Sequence, residues 1–276
     1  MPQLPGLLVS PSWLERHLDD VVLLDVRWYL DGSSGRAAYD AGHIPGARFV
    51  DLDTDLSAPP TSEGGRHPLP TPSDFASSLS RLGVDNTSVV VVYDDSGGTT
   101  AGRGWWMLDA VGVDAAALDG GLDAWVGPLE TTAPSWDRTE FDARPWPSNR
   151  LIDKSGVEAL CRDPTTVILD ARSTERYRGE KHPVDVREGH IPGASSAPTG
   201  GNLGADGRFL PVEDLERRYL SMMAPDRDVV VYCGSGVSAC HDLLAMRVAG
   251  LGDGRLFVGS WSAWAPDLDL PVETGG

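Results

Sequence analysis

The chain is short of cysteine, of lysine and of long apolar runs, and each shortage removes a class of protein. Its 276 residues include three cysteines, Cys161, Cys233 and Cys240. That number is odd and too small for a disulfide framework, so the sequence reads as that of a reduced, cytoplasmic protein. Lysine and arginine together number 23 against 41 acidic residues, a formal net charge of −18, with no basic run to interrupt the excess. Such a surface has little to offer a phosphate backbone, which argues against nucleic acid as a partner. No stretch approaches the roughly 18 apolar residues that span a bilayer. The stretch from Met1 to Asp20 lacks a basic start, a long apolar core and a small-residue cleavage site, so neither membrane nor secretory signal is expected. The six histidines show no metal-ligand spacing, and no metal or other cofactor is implied.

What the chain does have is a duplication. Val22-Leu23-Leu24-Asp25-Val26-Arg27 returns as Val167-Ile168-Leu169-Asp170-Ala171-Arg172, and Gly42-His43-Ile44-Pro45-Gly46-Ala47 returns unchanged at Gly189–Ala194. Val89–Tyr93 matches Val229–Tyr232, and Asp119-Gly120-Gly121-Leu122-Asp123-Ala124-Trp125 is echoed by Val258-Gly259-Ser260-Trp261-Ser262-Ala263-Trp264. The last two motifs repeat at a spacing of 139 residues and the histidine turn at 147, so small insertions separate them. Residues 1–127 and 150–276 are the expected domains. The proline-rich stretch 128–149, without periodicity, is the expected linker.

Within each half, short β-branched runs alternate with helical patterns. Ser88–Tyr93 reads as a buried strand. Before it, Thr71-Pro72-Ser73-Asp74 supplies an N-cap, a first-position proline and an acid in the first turn, and Gly83 closes the helix. After the second such strand, Val237–Val248 reads as a helix ending near Gly250. The alternation predicts an α/β protein in which each half builds a mostly parallel sheet flanked by helices. Ligands of such sheets sit beyond the carboxyl ends of the strands.

A repeat separates architecture from function. His43 and His190 occupy the same turn in both halves and read as structural, with the imidazole bonded to nearby backbone. The pairs Asp25/Arg27 and Asp170/Arg172 read the same way, as strand-end anchors. The halves part company where Tyr93 leads into Asp94 but Tyr232 leads into Cys233. Cys233-Gly234-Ser235-Gly236-Val237-Ser238 is a glycine-rich loop between a strand and a helix. Backbone N–H groups turned inward and a helix N-terminus would stabilise a thiolate there, and equally an anionic persulfide. Cys233 is therefore the candidate nucleophile. Cys240, seven residues on and two turns into the predicted helix, reads as packing, as does Cys161. Trp105, Trp106 and Met107 read as core or interface.

The paired Gly-His-Ile-Pro-Gly-Ala turns and the Cys233–Ser238 loop resemble the tandem rhodanese family along nearly the whole chain. The loop is most similar to that of the 3-mercaptopyruvate sulfurtransferases, in which threonine stands where this chain has Ser238. The resemblance implies two rhodanese-like domains with catalysis in the second alone. It also implies a small anionic sulfur donor held by the loop residues Gly234, Gly236, Val237 and Ser238. Sulfur would pass through a Cys233 persulfide to cyanide or to an acceptor thiol such as that of thioredoxin. A Ser235, His67 and Asp53 relay is implied in turn. His67, in Gly64–Pro70, has no counterpart in the matching second-half stretch Gly207–Pro211. The resemblance assigns Arg176 to the donor anion, as befits a bidentate guanidinium. Where the family often has a second arginine, this chain has Pro183; Arg187 is close but not aligned.

Three other readings stand beside this one. Thiosulfate is the alternative donor, although Gly234-Ser235 replaces the Arg-Lys pair of many thiosulfate-preferring relatives. A cysteine phosphatase would need an arginine six residues after the cysteine, where Ala239 stands, and a longer loop. A non-catalytic sulfur carrier or binding module would be expected to have lost its cysteine.

Overall fold

Val89–Tyr93 and Asp228–Tyr232 form strands in which every residue but Asp228 is buried. Strands covered on both faces lose the alternation of polar and apolar residues, which is why these runs are continuously β-branched. The computed structural model describes residues 2–223 and 227–276. These fall into two units, the first made of Met1–Ala58, Pro70–Trp146 and Ala205–Phe209, the second of Pro59–Leu69, Pro147–Gly204 and Leu210–Gly276. The units thus follow the sequence repeat except for two exchanged segments, 59–69 and 205–209, and residues 128–146 run with the first unit.

The first unit contains β1 (Leu8–Val9), α1 (Pro11–His17), β2 (Val22–Asp25), α2 (Gly35–Ala41), β3 (Arg48–Phe49), α3 (Pro72–Arg81), β4 (Val89–Tyr93), α4 (Ala101–Ala110) and β5 (Asp114–Leu118). Its strands form a five-stranded sheet, all parallel, in the order β1-β5-β4-β2-β3. The second contains β6 (Leu151–Ile152), α5 (Lys154–Leu160), β7 (Thr166–Asp170), α6 (Thr174–Arg178), β8 (Ala194–Ser196), α7 (Val212–Leu220), β9 (Asp228–Tyr232), α8 (Ala239–Val248), β10 (Arg255–Phe257) and α9 (Ser260–Trp264). Its sheet, also parallel, runs β6-β10-β9-β7-β8. The expected α/β class, with helices flanking a parallel sheet in each half, is what the structure has. Among the described residues no helix is long and apolar enough to cross a membrane.

Local chemistry explains the boundaries. Thr71 Oγ1 accepts from Asp74 N at 3.1 Å to open α3, and the chain leaves at Gly83 with φ +69°. α8 starts at Ala239, two residues later than the sequence pattern predicts, because Val237 and Ser238 belong to the turn that follows Gly236. Cys240 is accordingly the second residue of α8, not two turns into it. Trp105, Trp106 and Met107 in α4 are fully buried.

The repeated motifs build the same strut in both units. Asp25 accepts from Arg27 Nε at 3.0 Å and Nη2 at 2.7 Å, and Arg27 Nη2 also donates to Gly42 O at 2.8 Å. Asp170 and Arg172 repeat this, with Nε at 3.0 Å, Nη2 at 2.6 Å and Gly189 O at 2.7 Å. The histidine turn is fixed by His43 Nδ1 on Tyr39 O at 2.8 Å and by His190 Nδ1 on Tyr177 O at 2.7 Å. Each ring stacks on its tyrosine at 3.8 Å between centroids. These groups tie the strand ends to the turn that follows the next helix, as the repeat suggested.

Candidate active site

β9 is the central strand of its sheet, and Cys233 follows it directly, at the carboxyl edge where ligands of parallel sheets bind. Cys233 is 1% exposed. Gly236 N donates to Cys233 Sγ at 3.1 Å, so one backbone N–H of the loop already points at the sulfur. Gly236 has φ +76°, and a Cβ there would stand 2.4 Å from Val258 O; conformation and space both require glycine. The loop is held from below by the start of α9. Trp261 N donates to Cys233 O at 3.0 Å and Ser262 N to Gly234 O at 2.9 Å, which engages the carbonyls and leaves N–H groups to the inner side.

Cys233 N donates to Ser260 Oγ at 3.1 Å, while the Ser260 hydroxyl donates to Phe257 O at 2.8 Å and stands 4.0 Å from Cys233 Sγ. Among the described residues Ser260 is the one non-glycine with positive φ, at 51°. Such a backbone costs roughly 1–3 kcal/mol. It is held here by a fully buried hydroxyl beside the cysteine.

Two side chains reach the loop from segment 59–69. A turn closes on itself through Thr61 N to Gly65 O at 3.1 Å and Gly65 N to Thr61 O at 2.9 Å. Gly65 lies so close to α9 that a Cβ would be 2.4 Å from both Gly259 O and Ser262 Oγ. The next two residues are thereby delivered to the loop. His67 Nδ1 and Ser235 Oγ share a hydrogen bond of 2.8 Å, with both residues buried. Arg66 N donates to Ser262 Oγ at 3.0 Å and Arg66 Nη1 to Val184 O at 3.1 Å.

On the other side stands Arg176, in the last turn of α6. Its Nε and Nη2 grip Asp185 at 2.8 and 2.6 Å. Asp185 also lies 3.5 Å from Arg172 Nη1, which links Asp170, Arg172, Asp185 and Arg176 in one alternating row. A Cβ built on Gly234 would be 3.1 Å from Arg176 Nη2 and 3.2 Å from Arg66 Nη2, so both guanidinium groups converge on that glycine. Burial first, and then the Arg176 charge, hold Arg66 below the usual arginine range, against the pull of Cys233 and Asp185. Arg66 remains charged at any physiological pH.

The chain is similar to known proteins along most of its length. The rhodanese-like domain family matches residues 10–127 and again 154–267. The chain belongs to the rhodanese family. A Pseudomonas aeruginosa protein named "Probable 3-mercaptopyruvate sulfurtransferase" is 45% identical over 266 residues, covering 93% of each chain. A Mycobacterium tuberculosis protein (strain H37Rv) named "Putative thiosulfate sulfurtransferase SseB" is 41% identical over 265 residues, covering 93% of this chain and 92% of that one. The solved structure of SseA from Escherichia coli, described as showing the rhodanese fold and mechanism of 3-mercaptopyruvate sulfotransferases, is also similar. It shares 30% identity with a TM-score of 0.81, covering 93% of this chain and 99% of that one.

Of the residues singled out in sequence, the second rhodanese unit gathers Cys233, Gly234, Ser235, Gly236, His67 and Arg176 around one loop. Val237 is buried at the foot of α8, and Ser238 stands at the N-cap of that helix without a side-chain cap bond to it. Asp53 belongs to the first unit, where its Oδ2 accepts from Trp28 Nε1 at 3.2 Å. Cys240 Sγ donates to Gly236 O at 3.4 Å, and Cys161 Sγ to Glu158 O at 3.3 Å; both are buried packing groups. Arg187 donates to the carbonyls of Asp267 and Leu270.

Sequence reasoning passed over Arg66, Asp185 and Ser260. Arg66 was masked by the repeat itself, since Gly65-Arg66 is echoed by Gly207-Arg208 and a shared feature reads as architecture. Ser260 did carry a signal. It replaces Gly121 of the first copy at a position where both units have positive φ, 51° and 57°.

Proposed function

We propose that the chain is a sulfurtransferase that moves sulfur from 3-mercaptopyruvate, through a persulfide on Cys233, to a thiol acceptor or cyanide. The observation that carries this reading is the Cys233 sulfur, buried in a loop whose Gly236 N–H points at it, with the Ser235–His67 hydrogen bond two residues away. The names of the relatives support the same chemistry.

The Cys233 thiolate attacks the donor sulfur. An S–S bond forms, the carbon–sulfur bond breaks, and the electron pair leaves with carbon as the enolate of pyruvate, which a proton then converts to pyruvate. The carbonyl beside the breaking bond makes that leaving group accessible without an oxidant. Ser235 and His67 are suited to move that proton between donor and solvent, and the resemblance adds Asp53 as the residue that fixes the histidine tautomer. Gly234, Gly236, Val237 and Ser238 shape the cradle in which an anionic outer sulfur is stabilised. Arg176 holds the donor carboxylate. In the second half-reaction an acceptor thiolate attacks the outer sulfur and restores the Cys233 thiolate. A thiol acceptor such as thioredoxin, and a reducing compartment such as the cytoplasm, fit three free, buried cysteines.

The same residues would serve thiosulfate with sulfite leaving, which the name of the M. tuberculosis relative favours. Intact mass and turnover with each donor decide between them. Wild-type protein is expected to gain one sulfur, Cys233→Ser none, with faster turnover on 3-mercaptopyruvate. Faster thiosulfate turnover would reassign the donor, and no sulfur from either donor would leave a binding module. Asp53→Asn is expected to lower kcat and shift its pH profile in the same direction as His67→Gln.

A further inference from the structure

Around the loop, four charged groups form a closed account: Asp170 answers Arg172, and Asp185 answers Arg176 bidentately. Arg66 stands outside it. It makes no ion pair among the described residues; its Nη1 donates to a backbone carbonyl, Val184 O, and its Nη2 lies over Gly234 beside Arg176 Nη2. A half-buried cation with no carboxylate of its own is the arrangement expected of an anion-binding group, because even partial burial without a partner is otherwise unfavourable. Its backbone is fixed as well. Gly65 is pressed against Gly259 and Ser262, and Arg66 N bonds Ser262 Oγ, so the side chain starts from a rigid point. Arg66 and Asp185 also border, with Trp261, a cavity of about 90 Å³.

We infer that Arg66 is a specificity-determining residue: with Arg176 it forms a two-guanidinium clamp over Gly234 that takes the carboxylate of a small anionic substrate and sets it against Cys233. Both Nη2 atoms come within 3.2 Å of the space a Gly234 Cβ would fill, so one carboxylate placed there can hydrogen-bond to both. Glycine at 234 keeps that space open; any side chain would occupy the anion's place. Arg176 is oriented by Asp185 and shares its charge with it, which leaves Arg66 as the group that supplies the uncompensated positive charge. The inference rests on the proposed role of Cys233 but not on the identity of the sulfur donor.

The test compares two alkylating reagents that differ by one carboxylate, iodoacetate and iodoacetamide, on the full-length chain. The ratio of their rates at Cys233 reports the clamp, and the iodoacetamide rate alone reports an intact loop. Arg66→Gln is expected to lower the iodoacetate-to-iodoacetamide ratio about tenfold, the effect of losing one charge-assisted hydrogen bond, with the iodoacetamide rate held within about threefold. Arg66→Lys, which keeps charge but not the fork, should fall between. With 3-mercaptopyruvate, Arg66→Gln should raise KM about tenfold and change kcat less. An unchanged ratio in Arg66→Gln, or both rates falling together, would overturn the inference and leave Arg66 as a prop for the loop. An Arg66-dependent preference for iodoacetate in a protein that takes sulfur from no donor would uphold the clamp and remove only the sulfur-transfer reading.

Discussion

In each unit a buried central strand ends in tyrosine, and the next residue turns into a loop that leads to a buried helix. In the first unit that residue is Asp94, and its carboxylate is saturated. It accepts from Ser96 N at 2.9 Å, Gly98 N at 2.8 Å, Thr100 N at 2.8 Å, Thr100 Oγ1 at 3.0 Å and Ala101 N at 2.9 Å. In the second it is Cys233, whose sulfur accepts from Gly236 N. Gly97 and Gly236 hold the same place in the two loops, with φ +67° and +76°. One backbone design thus appears twice, once filled by a carboxyl side chain and once by a thiol. In the filled copy the loop collects N–H donors around the carboxyl oxygens of Asp94. Placing a carboxylate there satisfies the donors.

The largest effect is expected from making the second loop like the first. Cys233→Asp should abolish persulfide formation and lower turnover by at least roughly 10³-fold, measured by intact mass and steady-state rates. The reverse manipulation strikes stability. Asp94→Ala strips five donors of their acceptor and should cost on the order of 3–5 kcal/mol in denaturant unfolding, whereas Cys233→Ala should cost under about 2 kcal/mol. Comparable losses at both sites would mean that the two loops are not held by their anions.

The helices behind the loops differ too. Arg103 in α4 and Asp242 in α8 occupy matching, fully buried positions. Burial pushes the Asp242 carboxyl up to about 7, although Asn202 Nδ2 donates to Oδ1 at 2.7 Å and Arg218 is near. Being harder to ionise folded than unfolded, Asp242 favours the folded state most below about pH 4 and loses that advantage as pH rises towards 7. Asp242→Asn should therefore gain on the wild type across this window, by a few kcal/mol at most at about pH 8, as read from melting temperatures at several pH values. A constant difference between the two proteins would remove Asp242 from that role. Smallest is Ser260→Gly, which copies Gly121 into the second unit. Relief of roughly 1–3 kcal/mol of backbone strain offsets the two lost hydrogen bonds, to Cys233 N and Phe257 O, of about 1 kcal/mol each, so stability should stay within about 1 kcal/mol while kcat falls several-fold.

What the sequence disclosed followed from local pattern and from repetition. Buried β-branched strands, the Thr71-Pro72 helix start and the paired Asp–Arg struts are each written in a few adjacent residues. Cys233 stood out because its counterpart is Asp94, and His67 because it has no counterpart. The clamp was not legible. Arg66 and Arg176 are 110 residues apart in sequence, and no local pattern encodes their meeting over Gly234. The family pattern points to a second cation at Pro183, while the structure brings one from segment 59–69. Asp185 carried no signal at all, since an aspartate near a turn is ordinary until its partners are known. The start of α8 is not legible because residues 237–238 have helical composition but are committed to the turn set by Gly236.

The exchanged segments have a consequence for how this gene can be cut. Cys233 and its loop are encoded in the second half, but His67 and Arg66 lie in segment 59–69 of the first. Any break between residues 70 and 146 sends Cys233 and His67 to different polypeptides. The duplication therefore did not leave a spare copy beside a working one. Each half now carries a part the other needs, and neither can be lost, shuffled or expressed alone with its unit whole.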